Sequence, residues 1–119
     1  MLCKSYYYSF GIPIIITRSN NVYGPNQYHD KLIPKFIKLL KNHQHCTIHG
    51  DGTYLRSFIH VFDICYALEL IIDKGSINEI YNIGSHDEFS VNDIADFLIP
   101  LLQPSCTTVD SWKQYVPDR

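Results

Sequence analysis

The chain has 119 residues, a hydrophobic fraction of 45% and a formal charge of −2. That length allows one domain or part of one, with enough apolar residues for a modest core and no compositional sign of disorder. The near-neutral charge excludes a general attraction to nucleic acid or to an acidic membrane, so any phosphate must be held by local groups.

Residues 1–10 read as the last turns of an amphipathic helix, stopped by Gly11 and Pro13. Ile12 to Thr17 is a short β-branched apolar run, expected as a strand buried on both faces of a parallel sheet. Arg18 to Asp30 is polar and carries Gly24-Pro25, which predicts a loop. Asp30 is the expected cap of a helix over roughly 31–42, with Pro34 tolerated in its first turn. Cys46 to His49 and Arg56 to His60 are expected strands on either side of a Gly50-Asp51-Gly52 turn. Val61 to Lys74 has helical apolar spacing at 61, 64, 65, 68, 71 and 72, and Gly75 closes it. Glu79 to Ile83 reads as a strand. Ser90 caps a helix to about Leu102, with Asp93 as its capping-box partner. A weak strand candidate lies at Thr107–Val109. Helices and strands alternate, so the fold class is α/β, expected as part of a larger arrangement; a small complete α+β domain is the alternative.

Three stretches carry candidate chemistry. Arg18-Ser19-Asn20-Asn21-Val22-Tyr23-Gly24-Pro25 follows an expected strand, where ligands of open α/β sheets bind. Two asparagines there offer amide donors, or simply form a turn. Lys31-Leu32-Ile33-Pro34 opens a helix whose free N–H groups favour anions; a solvated lysine is the plainer reading. His49-Gly50-Asp51-Gly52-Thr53-Tyr54-Leu55-Arg56-Ser57 puts a guanidinium just after a tight turn, fit for bidentate phosphate contact or for an ordinary surface ion pair.

Together these stretches resemble the nucleotide-sugar dehydratases and epimerases of the extended short-chain dehydrogenase/reductase superfamily, in particular the UDP- and dTDP-glucose 4,6-dehydratases. The resemblance implies a partial Rossmann-like fold over 1–119: a late Rossmann strand plus a small substrate-binding α/β subdomain. Arg18, Asn21 and Gly24 match an R-x-x-N-x-x-G motif, whose Asn implies that Asn21 contacts the substrate diphosphate. Ser19 and Asn20 would lie against the nicotinamide of NAD. Lys31 and Leu32 would line the nucleotide pocket. Gly50, Gly52 and Arg56 match G-x-G-x-x-x-R, which implies that Arg56 grips the diphosphate, with His49 packing on the base. Arg119 would meet the ribose or diphosphate. Thr47, where relatives carry Pro, and Val91, where some carry Asn, depart from the pattern. The His49 version resembles plant-type UDP-glucose dehydratases of rhamnose synthesis.

The resemblance further implies a cytoplasmic enzyme, usually homodimeric, acting on a nucleotide-diphosphate sugar. Its NAD oxidises C4, water leaves across C5–C6, and hydride returns to C6. Within these 119 residues there is no G-x-x-G-x-x-G loop, and none of the nine tyrosines has Lys four residues on. No catalytic residue is therefore assigned, and turnover would need a complementing N-terminal half. An epimerase or decarboxylase fragment and a non-catalytic interaction protein are the alternatives. Four spread cysteines and the His43, His45, His49 and Cys46 group predict neither disulfides nor a metal site. No apolar run is long enough to span a membrane.

Overall fold

The computed structural model describes residues 2–118. The elements, in chain order, are α1 (Leu2–Phe10), β1 (Ile16–Ser19), β2 (Asn21–Tyr23), α2 (Leu32–Lys41), β3 (Cys46–His49), β4 (Leu55–His60), α3 (Val61–Lys74), β5 (Ile80–Ile83), β6 (Glu88–Ser90), α4 (Val91–Leu102), a single 3₁₀ turn at Val109–Trp112, and β7 (Lys113–Val116). The chain forms two compact units. One is the chain up to Gly24 with Ser57–Asp87; the other is Pro25–Arg56 with the chain from Glu88.

In the first unit β1 pairs in parallel with β5, from Ile16↔Ile80 to Ser19↔Ile83. There β2 pairs in parallel with β4, Asn21 standing opposite Phe58. Helix α1 ends as expected: Gly11 takes φ +66°, and its N–H reaches the Tyr7 carbonyl at 2.9 Å. Helix α3 starts at His60, whose Nδ1 accepts from the Phe62 N–H at 3.3 Å. Neither α1 nor α3 has a buried residue.

Two expectations for this unit need correction. The strand expected at Ile12–Thr17 lies at Ile16–Ser19, and none of its four residues is buried. Pro13 has no N–H to give a ladder, which delays pairing, and one partner strand cannot cover both faces. The loop expected at Arg18–Asp30 contains β2, so Asn21 sits on a strand. A three-residue strand is too short to show an alternating pattern.

The second unit holds the core. Phe36 and Leu40 of α2, Cys46 and Ile48 of β3, and Ala95 and Ile99 of α4 are fully covered. Leu32, Leu39, Val91, Ile94, Leu98, Leu102 and Trp112 pack around them. The spacing explains the choice: 36/40 and 95/99 are i,i+4 pairs, one above the other on a helix face, and 46/48 share one face of a strand. Gln103, itself buried, donates from Nε2 to the Leu40 carbonyl at 2.5 Å. It thereby adds a second donor to a carbonyl at the end of α2 that also accepts from the His43 N–H at 3.0 Å.

β3 pairs in parallel with β7, from Cys46↔Lys113 to His49↔Val116. The strand candidate at Thr107–Val109 is not a strand; the chain there leads into the 3₁₀ turn, and the pairing falls to Lys113–Val116. The ladder offered by β3 selects that segment, which its own mixed composition does not mark. The expected Asp30 cap is also displaced. Lys31 occupies the N-cap position, with no side-chain hydrogen bond, and Asp30 instead lies 3.3 Å from His29. The tight 28–31 turn, closed by Lys31 N–H to Tyr28 C=O at 3.1 Å, shifts the start by one residue. At α4 the expected box forms in full. The Ser90 hydroxyl and the Asp93 carboxylate each accept from the other's backbone N–H, at 3.0 and 2.8 Å.

Candidate functional site

The second unit contains a space of about 360 Å³. Asp30, Leu32, Lys35, Phe36, Thr47, His49, Tyr54, Arg56, Val91 and Asp118 line it. Each wall follows from local structure. Leu32, Lys35 and Phe36 are i, i+3 and i+4 on α2 and so share one face. Thr47 and His49 are two apart on β3, opposite in face to the buried Cys46 and Ile48. Tyr54 and Arg56 follow the Gly50–Gly52 turn, and Val91 opens α4.

The two turn glycines have φ +62° and +71°, a region that side-chain-bearing residues enter at a cost. At Gly52 a Cβ would come within 2.6 Å of Ile48 Cγ2, so glycine is required twice over. Asp51 between them is held by its own turn: its carboxylate accepts from Thr53 N–H at 3.0 Å and from the Thr53 hydroxyl at 2.8 Å. The Thr53 backbone and hydroxyl hydrogen bonds hold the Asp51 carboxyl below the usual carboxylate range.

The space therefore combines two cations, Lys35 and Arg56, with two carboxylates, Asp30 and Asp118, and three rings, Phe36, His49 and Tyr54. Among the described residues no ion pair joins Lys35 or Arg56 to a carboxylate. Such a set can grip an anion with the cations, accept from hydroxyl groups with the carboxylates, and pack a flat ring. His49 Nδ1 lies 3.4 Å from the Pro117 carbonyl, a contact that favours the tautomer with Nδ1 protonated.

Of the residues expected from sequence, Leu32, His49 and Arg56 share this space. Lys31 does not line it; Lys35, one turn on, does. Tyr54, Lys35 and Asp118 escaped the sequence reading, although Tyr54 sits inside the glycine-turn stretch and Lys35 is three residues from Leu32. Arg119 lies outside the described residues. Ser19, Asn20 and Asn21 belong to the first unit. There the Asn21 amide donates to the Ser57 carbonyl at 3.0 Å, leaving one N–H and its oxygen uncommitted. Asn20 donates to the Ser85 carbonyl at 3.3 Å and packs on Gly84, where a Cβ would stand 2.6 Å from its Nδ2. Its side chain thus ties the ends of β1 and β5 together. Among the described residues no group of three or more His, Cys, Asp or Glu is set to hold a metal, and no helix is long and apolar enough to cross a membrane.

The model of the NAD dependent epimerase/dehydratase family matches residues 1–84. The chain belongs to that family. It is 51% identical over 98 residues to a dTDP-D-glucose 4,6-dehydratase of Dictyostelium discoideum, an alignment covering 82% of this chain and 23% of that protein. It is 46% identical over 121 residues to a trifunctional UDP-glucose 4,6-dehydratase/3,5-epimerase/reductase of Arabidopsis thaliana, covering 100% and 18%. Among solved structures it is similar to a dTDP-glucose 4,6-dehydratase from Bacillus anthracis in complex with NAD, with TM-score 0.88, 34% identity, and 100% and 37% of the two chains covered. It is also similar to a UDP-glucuronic acid 4-epimerase from Bacillus cereus in complex with UDP-glucuronic acid and NAD, with TM-score 0.86, 30% identity, and 98% and 36% covered. The chain therefore spans between 18% and 37% of the length of these relatives. The α/β fold inferred from sequence is the fold of these structures.

The family is NAD-dependent. For NAD the residues in hand fit as one edge only: the β1 end offers Ser19 and backbone, Asn20 is engaged by Ser85, and no glycine-rich pyrophosphate loop occurs in the 119 residues. No reaction step is derived through it.

Proposed function

We propose that this chain carries the diphosphate-gripping part of a nucleotide-sugar 4,6-dehydratase, with a UDP- or dTDP-hexose as its ligand. The observation that supports this most is the pairing of two cations free of ion-paired carboxylates with three rings around one space. Arg56 takes the diphosphate through its planar fork, and Lys35 adds a point charge from α2. His49 and Tyr54 offer faces to the base. Asp30 and Asp118 accept from ribose or hexose hydroxyls. NAD, when bound, supplies hydride transfer; the residues here bind and orient. Without a Tyr-x-x-x-Lys pair in these 119 residues, they do not turn substrate over by themselves. A nucleotide-sugar epimerase is the second reading, favoured by the UDP-glucuronic acid 4-epimerase likeness, because the two chemistries share the nucleotide diphosphate.

Calorimetric titration with UDP, dTDP and their glucose conjugates tests this. Arg56→Ala should weaken UDP binding by about 1.5–3 kcal/mol, tenfold or more. Equal affinities for the two proteins would remove Arg56 from the site. A clear preference between UDP and dTDP would fix the base.

A further inference from the structure

We propose that Asn92 is a positioning residue for Arg56. The inference rests on the nucleotide-sugar reading of the pocket and adds a residue that does not itself line it. Asn92 sits in the first turn of α4, beside Val91, and reaches the Gly50–Gly52 turn with both its backbone and its side chain. Its N–H donates to the Gly52 carbonyl at 3.1 Å, and its Nδ2 donates to the Asp51 carbonyl at 2.8 Å. Its Oδ1 accepts from the Tyr115 hydroxyl at 3.2 Å. Two different partners fix which way the amide faces: the nitrogen must meet the carbonyl and the oxygen the hydroxyl. A Cβ on Gly52 would stand 2.9 Å from both amide atoms, so the turn lies pressed against this side chain.

The two ends of the turn are secured differently. His49 precedes it and is held by the β3–β7 ladder, which continues through Gly50 N–H to the Val116 carbonyl at 2.9 Å. Arg56 follows it, and between Gly52 and Arg56 the chain makes no such ladder contact with β7. The turn's exit direction therefore rests on the local Asp51–Thr53 hydrogen bonds and on Asn92, which anchors the turn to α4. Asn92 accordingly acts on the diphosphate end of the ligand and not on the base end.

The test compares the full chain with Asn92→Ala, Arg56→Ala and the double variant, titrated with UDP by calorimetry and with uridine by NMR shift perturbation. Asn92→Ala should weaken UDP about three- to tenfold and leave uridine within about twofold. In the double variant the loss should equal that of Arg56→Ala alone, because both act through one group. Unchanged UDP affinity in Asn92→Ala, equal losses for UDP and uridine, or full additivity with Arg56→Ala would each overturn the proposal. If Arg56→Ala itself leaves UDP binding intact, the pocket reading falls first and this inference with it. Should Asn92→Ala not fold, Tyr115→Phe removes the hydroxyl that orients the amide. Its expected effect is a loss of about two- to threefold for UDP alone, and no loss would count against the role.

Discussion

Cys46 and Lys113 face each other across the β3–β7 ladder and show how a small core treats ionisable groups. Burial pushes the Cys46 thiol up from 9.0 to about 11, against a smaller pull downward from Lys113. Burial also opposes the Lys113 charge, yet hydrogen bonds from its Nζ to Asp96 (2.5 Å) and Asp110 (3.2 Å) outweigh it and leave the ammonium raised. The lysine side chain is 5% exposed while its two carboxylates are 50% and 88% exposed, so the acids keep their water and the amine is satisfied. For a thiol whose folded value is raised, stability is fully present below pH 9 and is lost as pH climbs toward 11, because the unfolded chain ionises first. Urea unfolding followed over pH 8–11 should therefore show a falling midpoint. Cys46→Ala should remove that part of the slope, though it lowers the midpoint at every pH by opening a cavity. Identical slopes in the two proteins would mean that the thiol is not shielded as described.

At the scale of elements, α4 depends on its first turn. Ser90 is buried, and its hydroxyl and backbone exchange bonds with Asp93. Ser90→Ala should cost about 1 kcal/mol in chemical denaturation. The Ser90 side chain, followed by its backbone N–H, holds the Asp93 carboxyl below its ordinary value of 3.8, so the stabilisation exists above that pH and fades as the medium is acidified past it. Such elements were legible in the residues: Ser-x-x-Asp before an apolar run, Gly75 after α3, and the Gly-Asp-Gly turn each state their geometry locally. β2, β6 and β7 were not legible: unlike Cys46–His49 and Ile80–Ile83, their residues show no strand pattern of their own, and the ladder beside them selects them. The site divides in the same way. Arg56 and His49 were readable from the turn they flank. Lys35 was not singled out, although it stands three residues from Leu32 and so shares its helix face; the displaced cap leaves Lys31 outside α2.

For the whole molecule, apolar residues are unevenly covered. Six fully covered residues knit α2, β3 and α4 in the second unit. In the first, Ile59 is buried, while Leu2, Tyr8, Phe62 and Ile72 are 68–82% exposed. Opening free energies follow burial of apolar contacts. Hydrogen exchange at equilibrium should leave β3, β7, α2 and α4 protected long after α1 and α3 have exchanged. Uniform protection across both units would contradict this distribution of packing.

The space lined by Arg56 and Lys35 belongs to the well-packed unit alone. Mass action then predicts a selective effect of ligand on melting. A nucleotide that binds only this folded piece adds about 2.7 kcal/mol at a hundredfold excess over its dissociation constant. In a calorimetric scan with UDP, the later of two transitions should move upward while the earlier one stays where it was.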